Sequence, residues 1–114
     1  MIETTVLNYL KNELSVSVFM EIPANPPASF VVIEKTGSSR ENRVDKATMA
    51  FQSYAGTMAE AAQLNERVKE VVDSMIELPN ISKCYLNSDY NFTNVATKHY
   101  RYQALYVITY LREV

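Results

Sequence analysis

The sequence predicts an α+β domain, a mainly antiparallel or mixed sheet of about five strands with two helices on one face, in the order α-β-β-β-α-β-β. Three observations predict it. Apolar residues recur at helical spacing near the N-terminus and again after Thr57. Elsewhere they alternate at period two, as half-buried strands do. The chain has 114 residues, 47% hydrophobic and 21% charged, which suits a single domain over residues 1–114 with one core.

Ile2, Val6, Leu10 and Leu14 lie four apart, and Glu3, Asn8, Lys11 and Asn12 fall mostly on the other side, so the first element is an amphipathic helix of about three turns. Val16, Val18, Met20 and Ile22 then share one face of a strand. Pro23, Pro26 and Pro27 remove backbone donors and fix φ, so that strand ends in a stiff loop. A second strand, Phe30 to Lys35, is apolar on both faces at its start and suits an inner position. The polar run 36–43 reads as a long, charged hairpin tip, with the return strand from about Val44 to Tyr54.

Thr57 followed by Glu60 is a capping box, in which side chains satisfy otherwise orphan amides at a helix start. Ala61, Leu64, Val68, Val71, Val72 and Met75 form the stripe of the helix that follows, to about Glu77, and Pro79 stops it. Ile81 to Leu86 reads as a strand. The polar segment from Asn87 to His99 reads as loop with some irregular strand. Tyr100 to Arg112 is the strongest strand, with both faces apolar enough to be covered.

Composition narrows the function classes. The net charge of -2 disfavours nucleic-acid binding, which draws on a basic face. The N-terminal residues lack a signal-peptide pattern, and no apolar run approaches the ~20 residues of a membrane span, so a cytosol is the expected compartment. Cys84 is the only cysteine and His99 the only histidine, so neither an internal disulfide nor a zinc site is expected. Cys84 sits in an alternating strand, as a buried structural thiol would. With two glycines, Gly37 and Gly56, there is no phosphate-cradling loop. Glu66, Glu70 and Asp73 share a helix side broken by Arg67 and Lys69, which reads as a solvated face. No catalytic residue, cofactor or metal is expected, and an enzyme is not.

Two features are open to two readings each. The hairpin tip, where Lys35, Arg40, Arg43 and Lys46 mix with Glu34, Glu41 and Asp45, is either a solvated turn or an arm that reaches a neighbouring subunit. The ladder Tyr102, Tyr106 and Tyr110 is either packed under a helix or part of a protein–protein surface. Helices on one sheet face leave the other to be covered, which favours self-assembly. Arg40, Arg43, Tyr102, Tyr106 and Tyr110 are therefore the candidate interface residues.

The stretch Ala47-Thr48-Met49-Ala50-Phe51-Gln52-Ser53-Tyr54-Ala55 followed by Gly56-Thr57-Met58-Ala59-Glu60-Ala61-Ala62-Gln63-Leu64 resembles the strand–helix junction of the tail terminator, or tail completion, proteins of long-tailed phages. The flanks are similar too: a short N-terminal helix, a Pro-containing loop before Phe30-Val31-Val32-Ile33-Glu34, and a final strand opening on Arg101-Tyr102-Gln103-Ala104. The resemblance implies a single tail-terminator-like domain that is structural. Its expected partners are copies of itself in a ring, commonly a hexamer, the tail tube protein, and the head-completion or connector protein. The expected place is the virion tail, and the host bacterial cytoplasm during assembly. Another head–tail neck subunit, or a small cytosolic protein-binding domain, are the alternatives.

Overall fold

A computed structural model describes residues 1–94, 96, 97 and 99–111. The chain is α+β in the expected order, with 29% helix and 48% strand among the described residues. The elements are α1 (Ile2–Glu13), β1 (Ser17–Phe19), β2 (Phe30–Glu41), β3 (Val44–Ala55), α2 (Met58–Asp73) continued by a 3-10 turn (Ser74–Glu77), β4 (Ile81–Asn91) and β5 (Tyr100–Leu111).

The sheet runs β1-β2-β3-β5-β4, with β1 parallel to β2 and every other neighbour antiparallel. β3 is its axis: β5 pairs with it from Val44↔Leu111 to Ala55↔Tyr100, and β2 from Phe30↔Tyr54 to Glu41↔Val44. A strand of that length spans ~40 Å at ~3.3 Å per residue, which accounts for the 44 Å long axis of a molecule only 25 × 24 Å across.

At the end of β3 the chain leaves the sheet through Thr57. Its backbone is extended (φ -137°, ψ 161°) and its hydroxyl oxygen accepts the Glu60 amide at 3.2 Å. That bond supplies one of the four partners a helix start lacks. Both helices lie on the same face. α1 contributes Val6 and Leu10, α2 contributes Val68 and Val72, and the sheet answers with Val31, Ile33, Met49, Phe51, Tyr106 and Ile108. Burial of those side chains is the main driving force for this layer.

The structure departs from the expected elements in four places. β1 is only Ser17–Phe19, and Met20 and Ile22 are exposed, because Pro23 cuts the strand before its period-two pattern can be used. The hairpin has no long tip: β2 and β3 stay paired to Glu41↔Val44, and Asn42 (φ 51°) and Arg43 (φ 68°) alone turn the chain. Two successive positive φ values are the geometry of a type I′ turn, whose twist matches the flanking strands. The polar residues before the turn are strand residues, displaced by one bulge between Lys35 and Gly37. β4 continues into the polar segment as far as Asn91, with bulges between Ile81 and Lys83 and between Leu86 and Ser88 that break its alternation. Finally, β5 has helices over one face only; on the other, Gln103 and Thr109 are buried, Leu105 and Val107 half-buried and Leu111 exposed. Arg112, the expected last residue of that strand, and Val95 and Lys98 of the expected loop lie outside the described residues.

Candidate interaction surfaces

The tyrosine ladder divides along its length. Tyr106 is fully buried, so its place is the chain's own core and it offers a partner no surface. Its ring packs edge-on against Phe51 at 5.7 Å, and its hydroxyl donates to Asp73 Oδ1 at 2.8 Å, with the Lys69 carbonyl 3.2 Å away. Burial, and then the bond to the Asp73 carboxylate, push that phenol far above its ordinary range. Tyr102 and Tyr110 are half-buried on the same face. Tyr102 lies level with Ser53 and Asn91, and Tyr110 with Asp45 and Ile81. They are ~27 Å apart along the strand at ~3.4 Å per residue, so they belong to opposite ends of the molecule.

The structure brings Arg40 and Tyr110 together and leaves Arg43 apart at the turn. Arg40 Nε donates to Asp45 Oδ1 at 3.0 Å across the β2–β3 ladder, and Asp45 is level with Tyr110 on β5. These side chains line a cavity of about 260 Å³ with Glu3, Lys35 and Ile81. Glu3 Oε2 meets Lys35 Nζ at 3.6 Å, whereas its buried Oε1 has no hydrogen-bond partner among the described residues. The cavity is therefore mixed in charge. Its ion pairs couple α1 to β2, and β2 to β3.

The sheet face away from the helices has its own small cluster. Phe30, Val32 and Tyr54 are buried there with Phe19 against them, and Phe30 stacks on Tyr54 at 4.5 Å. Arg101 closes one side: its guanidinium donates to the Tyr54 hydroxyl at 2.8 Å and the Phe92 carbonyl at 2.7 Å, and lies 4.3 Å from the Phe92 ring centre. From Tyr54 a polar chain crosses the sheet, through Gln52 and Gln103 to Tyr90 on β4. Past that chain the face is open, with Tyr85 half exposed and Leu111 exposed. Sequence reasoning missed Arg101, whose only signal was a charge at the start of an apolar strand.

The lateral edges of the sheet are the other surfaces. β1 covers β2 only over Phe30–Val32, so Ile33 to Glu41 has no strand on its outer side among the described residues. β4 has β5 on one side and, among the described residues, no strand on the other. On its helix side Asp89 is held by Asn65 Nδ2 at 2.7 Å and Lys69 Nζ at 2.6 Å. The hydrogen bond to Asp89 is the main reason the Lys69 ammonium titrates above its ordinary value.

Cys84 Sγ faces the Val72 carbonyl at 3.3 Å, and burial pushes its thiol up to about 12, away from the thiolate that a nucleophile needs. His99 is exposed and bridges to Asn94 through the backbone. Among the described residues no cluster of histidine, cysteine and carboxylate side chains is placed to hold a metal, and no helix is long and apolar enough to cross a membrane. No family model matches the chain, and a search of curated proteins finds no match.

Proposed function

We propose that this chain is a structural subunit of a phage or prophage tail: a terminator or completion protein that closes into a ring, commonly hexameric in proteins of that kind, on the tail tube and joins it to the head connector. The observation that carries the reading is the junction itself. Residues 47–64, which resemble the tail terminator pattern, form a strand of the sheet's centre, a threonine cap and the packing helix. A further observation supports it. Among the described residues the sheet has unpaired edges on opposite sides, which is what a subunit needs to make a heterologous, closing interface.

Purified protein mixed with tail tubes is the test. Light scattering is expected to give the mass of a ring, or of a monomer that becomes a ring at high concentration or on tubes, and electron microscopy to show density at tube ends. A strict dimer that never decorates tube ends sinks the proposal.

A further inference from the structure

We infer that copies of this chain join by strand addition, the free stretch of β2 in one copy pairing antiparallel with the outer edge of β4 in the next, so that the sheets continue from subunit to subunit. The inference deepens the ring reading and rests on it only for closure of the assembly. It begins from the lengths. The free part of β2 runs from Ile33 to Glu41, bounded by β1 at one end and the turn at the other. β4 beyond its first bulge runs from Lys83 to Asn91. Laid antiparallel with Lys83 opposite Glu41, the two segments end together at Ile33 and Asn91.

In that register the side chains agree in face and charge. Glu41 and Lys83 both lie on the face away from the helices, since they are level with Val44 and Thr109. Lys35 and Asp89 come opposite one another on the helix face, level with Met49 and Ala104. Opposite charges across a ladder stabilise it, and here the second pair extends an alternating series, Glu3, Lys35, Asp89 and Lys69.

Bulges and charges ordinarily protect an edge from unwanted pairing. In this register they do not obstruct it. The extra residue of β2, Thr36, comes opposite Ser88, and that of β4, Asn87, comes opposite Gly37 one position away, so each strand carries one extra residue over the paired length and the ends stay in register. The same charges do oppose a symmetric pair of β2 edges. Antiparallel overlap of residues 34–41 of β2 with the same residues of a second copy sets Glu34 against Glu41 on one face and Lys35 against Arg40 on the other, like against like. Direction is consistent as well. β4 runs opposite to β2 within the sheet, and rotation about an axis along the strands keeps that sense, so neighbours in a ring meet antiparallel.

The experiment is disulfide capture of Glu41→Cys with Lys83→Cys in a Cys84→Ser background. Within one chain β3 and β5 separate these positions by three strand spacings, ~14 Å, too far for a disulfide that needs Cα atoms within ~7 Å. A bond between them therefore joins two chains. The expected result on a non-reducing gel is a ladder ending at the ring size, with each single-cysteine variant staying monomeric. Dimers from Glu41→Cys alone, or from Lys83→Cys alone, overturn the inference, as does an assembly of ring mass that gives no ladder. That last outcome leaves the tail reading intact, whereas laddered rings that never bind tube ends keep the strand pairing and remove the tail reading. If the cysteine variants fail to fold, charge exchange decides. Glu41→Lys is expected to weaken association about fivefold or more per interface, and adding Lys83→Glu to restore it. Equal association in all three proteins overturns the pairing.

Discussion

The two faces of this sheet are built from the same strands and have different fates. Along β5, Ala104, Tyr106 and Ile108 point beneath α2 and are wholly buried, whereas Leu105 and Val107 between them stay half-buried on the face with no helix. The alternation is apolar on both sides, so periodicity alone cannot tell them apart. What distinguishes them is what lies opposite: two amphipathic helices on one face, and on the other only the aromatic cluster around Tyr54 and Arg101 at one end. A side chain's stability contribution is thus set by its face more than by its residue type.

Tyr106→Ser gives the largest contrast. It removes a fully buried ring and leaves the Asp73 carboxylate without that donor. The expected cost is ~3–5 kcal/mol, in the range for emptying a large core site. The denaturation midpoint should fall by the same amount at every protein concentration. A loss that vanishes at high concentration would mean that the ring is buried by a partner and not by α2. The covered face also governs the alkaline limit. The folded-state values of Tyr106 and Cys84 are raised, so both stay neutral in the fold at a pH where the unfolded chain has ionised them. The Cys84 contribution is complete below the ordinary thiol value of 9.0 and is lost as pH climbs from there towards about 12, whereas that of Tyr106 is complete below the ordinary phenol value of 10.0 and declines only above it. Urea midpoints measured across that window should fall less steeply in Cys84→Ala.

The covered face was also the legible one. The stripe from Ala61 to Met75, the Thr57 cap and the period-two run of β5 follow directly from local rules, and the fold class follows from them. The hairpin turn was not legible. Asn42-Arg43 lacks the glycine that marks most type I′ turns, while Gly37, Ser38 and Ser39, which look like turn residues, sit in a strand beside a bulge. Bulges likewise hid β4, because each one shifts the alternation by a residue. Of the candidate interface residues, Tyr106 was separable from Tyr102 and Tyr110 only by the long-range placement of α2, which no spacing within β5 encodes. Arg40 stands beside Tyr110 because β3 holds both strands in register, again a non-local fact.

An intermediate effect is expected where the open face is partly closed. Arg101 bonds Tyr54 and Phe92 and lies over the Phe92 ring, but it is only half-buried. Arg101→Ala should cost about 1–2 kcal/mol, less than a core deletion, since water can replace part of what is lost. Arg101→Lys tests the geometry. A lysine supplies the charge without the planar fork that reaches a hydroxyl and a carbonyl together, so it should recover less than half of the loss. Full recovery in chemical denaturation would reduce the role of Arg101 to charge alone.

The smallest effect on the isolated chain belongs to Tyr85, and it separates the two faces most sharply. Tyr85 is level with Val107, one register step from the Leu86↔Tyr106 pair, yet it is half exposed while Tyr106 is fully buried. Exposed substitutions away from caps and networks stay within about 0.5 kcal/mol, so Tyr85→Ser should leave the monomer's denaturation midpoint almost unchanged. In the proposed strand pairing, however, Tyr85 comes opposite Ser39 of the next copy and loses much of its exposed area. Association, read by sedimentation at several concentrations, should then weaken in a variant whose folding is untouched. Equal loss of folding and association would place Tyr85 in the core economy of the chain. No change in either would leave the β4 edge without a role, since an aromatic ring at an interface contributes through the water it excludes.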